Sequence, residues 1–529
     1  MNRTLRMCLN ALPLAACLLT GRNGLAGNVQ VTKNISGIET WSHTNDYVLN
    51  GFIYVLDGGA LNIEAGTVIK AKPGQDANTS CLIVTRGGKI FANGTSNSPI
   101  IFTAEADDVN DPDDLPLFQR GLWGGIVLMG KCVLNTASDA AGNAANPKYD
   151  IFEGLPDTQI NGQFVNRFGG TDDNDSSGIM RYVSIRHAGV VFQPNKELNA
   201  LSLCTVGRGT TLEYIEAYAA ADDGFEFFGG TVNTKYLVSA FNDDDAFDID
   251  QGYRGKNQFW FAIQEPGKKD NGGEWNGEPN GIAVGALPVA NFEIYNATWI
   301  GAGTNASGNR GLFIREYAAP KLYNSILTDF GGPGVRIDNK SAVHLTNGVL
   351  DIRDNLWWKF ATNLAEVAEA QVLFTEPSRN NLVLDPMLRG ISRTNNGALD
   401  PRLSPGSPAL SSSRTAPNDG FYSPVNYKGA FNTLNWAAGW TALSQLKIMT
   451  TGQAPVGPLA LGVAVNGKNI EISLASTDAG IYQLQSATSL SNSSTSWTDD
   501  GNPATGNGSK LSFTAPVSGP LKFYRVVRK

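Results

Sequence analysis

Residues 222–227 read Asp-Asp-Gly-Phe-Glu-Phe, and residues 244–249 read Asp-Asp-Ala-Phe-Asp-Ile. At this spacing of 22, acid lies over acid, Phe225 over Phe247 and Glu226 over Asp248. The residues before them keep the same interval, with Tyr214-Ile215 recurring as Tyr236-Leu237. A third copy opens at Gln258-Phe259-Trp260, before the loop EPGKKDNGGEWNGEPN at 265–280 interrupts it. Farther on, IYNAT at 294–298 and LYNSI at 322–326 repeat at 28, placing Asn296 and Asn324 in equivalent positions. A period of 22 to 28 built from short strands predicts an all-β chain wound as a right-handed parallel β-helix, three strands and three turns to a coil. Leucine-rich repeats share the period, but their LxxLxLxxN signature is absent. Equivalent residues of successive coils then stack at about 4.8 Å. Phe225 over Phe247 is expected to be an internal aromatic stack, and Asn296 over Asn324 a polar ladder at a turn.

The rest of the chain agrees with strands. Runs such as FIYVL at 52–56, CLIVT at 81–85, RYVSI at 181–185 and KYLVS at 235–239 are separated by Gly, Asn and Asp clusters. Helical spacing shows in one place, Trp357 to Phe374, where Leu364, Val367, Ala368 and Val372 fall on one face. The composition is 17% charged residues, 59 glycines and a net charge of −8 over 529 residues. It excludes a coiled coil, a disordered acidic tail and a polybasic nucleic-acid binder.

Four segments are expected. Residues 1–26 read as a secretory signal, with Arg3 and Arg6 ahead of an apolar run. Cleavage after Gly24-Leu25-Ala26 competes with a lipobox, Leu14-Ala15-Ala16-Cys17, that would leave a lipid anchor on Cys17. Residues 29–449 form the β-helix, TTGQAPVGP within 450–459 is a linker, and the alternating strands of 460–529 suit a small antiparallel sandwich. Cys81, Cys132 and Cys204 are an odd, widely spaced set without CxxC, read as buried thiols. His43, His187 and His344 make no metal-binding spacing.

The acidic blocks are where chemistry is expected. Phe225 and Phe227 share one face of a strand, so Glu226 and Asp248 point the other way, toward solvent. Stacking brings Asp222, Asp223 and Glu226 beside Asp244, Asp245 and Asp248, and Asp270 would extend the column by a further 22. Two carboxylates about 5 Å apart repel by roughly 3 kcal/mol at an effective dielectric near 20. Full solvation, a shared proton, or basic partners such as Arg254, Lys235 or Arg186 could offset this. So could a bound Ca²⁺, which prefers oxygen-only ligands. The six acids are therefore the candidate Ca²⁺ ligands.

Five stretches together resemble a family of bacterial surface β-helix proteins: GALNIEAGTVIKAKPG, CLIVTRGGKIFANGTSNSPIIFTA, GLWGGIVLMGK, ADDGFEFFGGTVNTKYLVSAFNDDDAFDID and NYKGAFNTLNWAAGWTAL. That family includes spirochaetal outer-membrane lipoproteins and secreted proteins of Bacteroidetes-like bacteria. The resemblance spans most of residues 47–442. It implies an exported protein, extracellular or on the outer-membrane surface of a Gram-negative-type bacterium, with no activity to carry onto single residues. The ending FYRVVRK is similar to small sandwich modules that close secreted proteins of Verrucomicrobia and Planctomycetes.

The doubled Asp-Asp block also resembles polygalacturonase-type hydrolases, which would make Asp223 and Asp245 general acid and base of an inverting reaction. The Gly-His-Gly expected one coil later is missing, and Arg336-Ile337 is followed by Asp338 where that family has Lys. A Ca²⁺-dependent uronate lyase with Arg254 or Arg315 as base is a further alternative. Trp260, Trp275, Trp357, Trp358, Trp436 and Trp440 are candidate sugar platforms. Trp275, in the Gly/Asn-rich loop beside the acids, is the expected ligand-binding residue. The leading expectation is a non-catalytic, adhesin-like protein whose acidic flank binds polysaccharide or a surface protein, with no nucleic-acid partner.

Overall fold

The computed structural model describes residues 27–75, 78–135, 149–193, 196–268, 270–278, 286–411 and 413–450, and then 462–466, 469–475, 481–488, 496–505, 510–516 and 522–528. The expected signal segment with Cys17, and the linker apart from Thr450, lie outside these residues. Among the described residues no helix is long and apolar enough to cross a membrane.

The chain is a parallel β-helix. One flat face stacks nine parallel strands in chain order: Phe52–Val55, Cys81–Val84, Ile126–Met129, Leu201–Cys204, Phe225–Phe228, Phe247–Asp250, Gly273–Asn276, Leu312–Arg315 and Val335–Ile337. Parallel neighbours need crossovers, which take the right-handed path. Here each crossover is itself a longer strand, such as Thr211–Tyr218 or Asn233–Ala240, paired in parallel with its counterparts above and below.

Those strands turn a corner partway along, at a single left-handed residue: Tyr182, Tyr214 and Tyr236 have φ of 50°, 56° and 57°, and Phe259 follows at 60°. A left-handed non-glycine residue costs roughly 1–2 kcal/mol. The corner rings offset this by stacking, at 4.4 Å for Tyr182 on Tyr214, 4.2 Å for Tyr214 on Tyr236 and 4.9 Å for Tyr236 on Phe259. Such pairs contribute about 0.5–1.5 kcal/mol each. The last step also corrects the spacing, because Lys235 pairs with Gln258, one residue beyond the expected 22.

Inside the coils, alternation does what the sequence implied. Leu201, Phe225 and Phe247 align in one inward column, and Leu203, Phe227, Ile249, Trp275, Ile314 and Ile337 in the next. All belong to one apolar core. Phe225 stacks on Phe247 at 5.5 Å and 13°, and Trp260 covers Phe247 at 4.3 Å. Cys81, Cys132 and Cys204 are buried free thiols.

Two local expectations change. Leu356–Phe360 is a strand paired with Ile326–Phe330, because an open parallel edge offers it ladder hydrogen bonds that a solitary helix cannot match. Of the expected helix, only the turns Ala368–Ala370 and Val372–Thr375 remain. Asn296 and Asn324 do occupy equivalent left-handed corners, with φ of 59° and 50°. Their amides do not bond each other; they donate to the Tyr427 and Arg414 carbonyls, at 2.8 and 2.7 Å, and hold a strap laid along the corner.

The chain divides into two compact units. One holds the described residues up to Pro386 with Pro408–Ala430, and the other Met387–Ser407 with the described residues from Phe431 on. Residues 387–407 and 431–449, expected in the β-helix, thus group with the C-terminal strands. In the second unit Gly462–Asn466, Asn469–Ala475 and Lys510–Pro516 form one antiparallel sheet. Ile481–Ala487 pairs antiparallel with Thr498–Asp499, Ala504–Thr505 and Phe523–Arg528. Ile472, Leu474, Tyr482, Leu484, Phe513 and Val526 share one apolar cluster.

Candidate metal centre

The acids meet because pairing register places them one above another on the outer side of the nine-stranded face. Glu226 pairs with Asp248, and Asp248 with Glu274, so three carboxylates occupy successive rungs of one outward column. The column runs through Tyr54, Ile83, Val127 and Ser202 before the acids and continues past Glu274 to Phe313 and Arg336. Asp250 lies one pleat further along the same face as Asp248.

At the turn that enters each strand, a side-chain ladder fixes the second acid of each pair. Asn199 Oδ1 accepts the Asp223 N–H at 3.1 Å, Asp223 Oδ1 accepts the Asp245 N–H at 2.9 Å, and Asp245 Oδ1 accepts the Asn271 N–H. Buried N–H groups at a turn need such acceptors. Asp223 is 6% and Asp245 4% exposed, whereas Asp244 stands at the exposed rim.

Two trios emerge. Asp222, Asp223 and Asp244 bring one oxygen each within 4.8 Å of one another, and so do Asp223, Glu226 and Asp248. Asp223 belongs to both. Removal from water, then mutual repulsion, pushes the carboxyls of Asp222, Asp223, Glu226, Asp245 and Asp248 well above the usual carboxylate range. Asp244 is raised to about 7, first by the surrounding protein and then by Asp270. Burial raises Asp250 to about 7.

The expected basic compensation does not come from the residues the sequence suggested. Arg254 pairs with Asp173 across 2.5 Å, Lys235 reaches Ser423 at 3.1 Å, and Arg186 donates to Ser184 Oγ at 2.9 Å. Nearby cations pair with other acids: Lys196 with Glu153, Lys268 with Asp243, and Arg315 with Glu274, the third rung of the column. Among the described residues the two trios, Asp222–Asp223–Asp244 and Asp223–Glu226–Asp248, have no ion-pair partner, and such an all-oxygen set fits a hard divalent cation such as Ca²⁺.

Three further expectations are corrected. Trp275 is 0% exposed; it points inward between Ile249 and Ile314 and meets Phe292 and Trp299 edge-on at 5.1 and 5.9 Å. It is core, because the strand resumes at Gly273 and alternation sends Glu274 out and Trp275 in. Asp270 does not extend the Asp248 column; the interrupted coil spends four more residues, so Glu274 takes that rung and Asp270 lies against Asp244. Glu226 and Asp248 face outward but are only partly exposed. Phe152, Leu155, Val165 and Phe168 lay a second apolar layer over Tyr54, Val127 and Phe228 on this side. The same segment brings Asp150, bonded by Gln251 Nε2 at 2.9 Å, and Glu153, both with raised carboxyl pKa through burial.

Glu274, Asp250, Asp150 and Glu153 were missed. Asp250 was readable from alternation, two residues beyond Asp248. Glu274 needed the length of the interrupted coil, and nothing in sequence spacing points to Asp150 and Glu153.

Residues 33–381 match the family described as Pectate-lyase like beta helix domain. No curated protein matches the chain. Among solved structures, a crystal structure of pectate lyase Pel9A aligns over 70% of this chain and 88% of its own, at 15% identity and a TM-score of 0.30. With two thirds of its length in one continuous match, the chain belongs to the family of pectate-lyase-like β-helix domains.

Proposed function

We propose that this is an exported, surface or extracellular protein that binds acidic polysaccharide through a Ca²⁺-liganded acidic face and does not turn it over. The observation that carries this reading is the outward column itself. Glu226, Asp248 and Glu274, on successive coils, run into Phe313, whose ring has the guanidiniums of Arg310, Arg315 and Arg336 at 5.1, 5.2 and 5.1 Å. A hard cation on the acidic rungs shares its coordination between protein and polymer carboxylates, and the arginines take further carboxylates by exchanging their pairings with Glu366 and Glu274. A row repeating at the coil spacing suits an extended chain.

Burial of Asp223 and Asp245, each with an oxygen engaged by the ladder, supports a ligand and scaffold role over acid–base chemistry. A second reading, a Ca²⁺-dependent lyase, is favoured by Arg315, which pairs with Glu274 at 2.9 Å and acts electrostatically on Asp250.

Calorimetry of the full chain with polygalacturonate and alginate, in Ca²⁺ and in chelator, tests both while unsaturated products are followed. The expected result is Ca²⁺-dependent binding without product, weakened at least tenfold in Glu274→Gln and Arg336→Ala. Product that Arg315→Ala abolishes would replace the binding reading with the lyase. Absence of both binding and product in Ca²⁺ would overturn both.

A further inference from the structure

Beyond Glu274 the outward column ends on a carboxylate held by two arginines. Val335 bridges Ala365 in parallel, which sets Glu366 on the rung after Arg336. Arg310 Nε and Nη2 donate to the two oxygens of Glu366, and Arg336 Nη1 reaches Oε1 at 3.3 Å. Two parallel bonds from one guanidinium are a geometry that a planar carboxylate satisfies with both oxygens and a lone hydroxyl does not. Phe313 lies one rung before Arg336, with the Arg310 and Arg336 guanidiniums each 5.1 Å from its ring centre.

Arg310 is aimed by groups other than Glu366. Its Nη1 donates to Asn271 Oδ1 at 2.9 Å, and its side chain is 18% exposed. Asn271, itself 6% exposed, places its N–H on Asp245 Oδ1 and its Nδ2 3.3 Å from Glu274 Oε2. The guanidinium is thus fixed from the side of the acidic ladder, and its fork keeps its place whether or not Glu366 engages it. Glu366 is held more loosely. Its N–H donates to the Val335 carbonyl at 2.9 Å, and among the described residues its carboxylate accepts from these two arginines alone. A solvated ion pair of this kind contributes little to stability. Rotation of the Glu366 side chain frees the fork and leaves the backbone pairing intact.

Charge points the same way. Arg315 is paired with Glu274, so two guanidiniums face the single Glu366 carboxylate, and the positive excess favours an anion. The class of that anion follows from what already sits there, a carboxylate meeting the fork with both oxygens.

We propose that Arg310 and Arg336, beside Phe313, form a receptor for one ligand carboxylate, and that Glu366 is its internal occupant, which the ligand displaces. This rests on the reading of the column as a binder of acidic polysaccharide, and it makes Glu366 the residue that limits affinity for a uronate at this end. Ligand-detected NMR on the full chain in chelator, with D-galacturonate, D-galactose and inorganic phosphate as probes, tests it. Glu366→Ala is expected to keep the native Tm and to bind D-galacturonate with a dissociation constant on the order of 1 mM, at least tenfold more tightly than the native chain. Glu366→Gln, which keeps the shape of the side chain, is expected to shift affinity in the same direction. Adding Arg310→Ala to Glu366→Ala is expected to abolish the gain. Equal galacturonate affinity in the native chain and Glu366→Ala, a gain that survives loss of Arg310, or an equal or larger gain for D-galactose or phosphate would overturn the proposal. Because the probe is a monosaccharide and no Ca²⁺ is present, the result is separate from polymer calorimetry. Polymer binding in Ca²⁺ without the Glu366→Ala gain strikes the receptor alone, and the gain without polymer binding strikes the polymer reading alone.

Discussion

Asp223 accepts the backbone N–H of Asp245 through Oδ1 at 2.9 Å, one coil to the next, and is also the carboxylate common to both acidic trios. One side chain thus closes a backbone hydrogen bond in the turn and concentrates negative charge. The two roles need different atoms of the group: an amide oxygen serves the first as well as a carboxylate, and only the carboxylate serves the second.

Asp223→Asn is therefore expected to fold, since Asn199 already fills the same ladder position one coil earlier. In chelator its Tm is expected to equal or exceed that of the native chain, because repulsion from Asp222 and its neighbours is relieved. Its Ca²⁺ affinity is expected to fall at least tenfold. Asp223→Ala leaves the Asp245 N–H without its acceptor and is expected to cost about 1–3 kcal/mol. Thermal melts with and without Ca²⁺ separate the two variants.

The pH dependence without metal follows from the raised carboxyls. Between the ordinary carboxylate range and about 7, where Asp244 and Asp250 titrate, the folded chain holds protons that the unfolded chain has released. Stability from these groups is fully present at low pH and is lost as pH rises through the folded values. In chelator, Tm is expected to fall between pH 5 and pH 8. Saturating Ca²⁺, which displaces those protons, is expected to flatten or reverse the slope and to add ~2.7 kcal/mol at a hundredfold excess over its dissociation constant. Melting curves at several pH values under both conditions check this.

Trp275→Ala is expected to destabilise the chain by about 3–5 kcal/mol, the cost of emptying a large aromatic site in a packed core. Trp275→Phe is expected to keep the fold and to bind polymer as the native chain does. Denaturant unfolding and polymer calorimetry on the same samples decide whether the residue acts through packing alone.

Lys428 supplies a test on the alkaline side. Buried against the Asp354 carbonyl, its ammonium is lowered to about 8. From there to the ordinary lysine value the unfolded chain binds the extra proton, so this group's contribution to stability rises with pH across that window. Lys428→Met is expected to remove that rise, as pH-dependent melts between pH 7 and pH 10 would record.

The sequence by itself determined the solenoid and its contents. Phe225 over Phe247 and Glu226 over Asp248 are direct consequences of a 22-residue period combined with two-residue alternation, and both pairings occur. What it could not decide was everything that depends on loop length or on segments distant along the chain. The interrupted coil set the third rung, giving it to Glu274 and sending Trp275 inward, because register counts from where pairing resumes rather than from the repeat. The parallel edge at Ile326–Phe330 turned an amphipathic stretch into a strand. Only tertiary packing brought Asp150 and Glu153 over the acidic face. A repeat fixes neighbours one coil apart, because pairing is local and periodic; contacts made by insertions carry no period, and folding alone selects them.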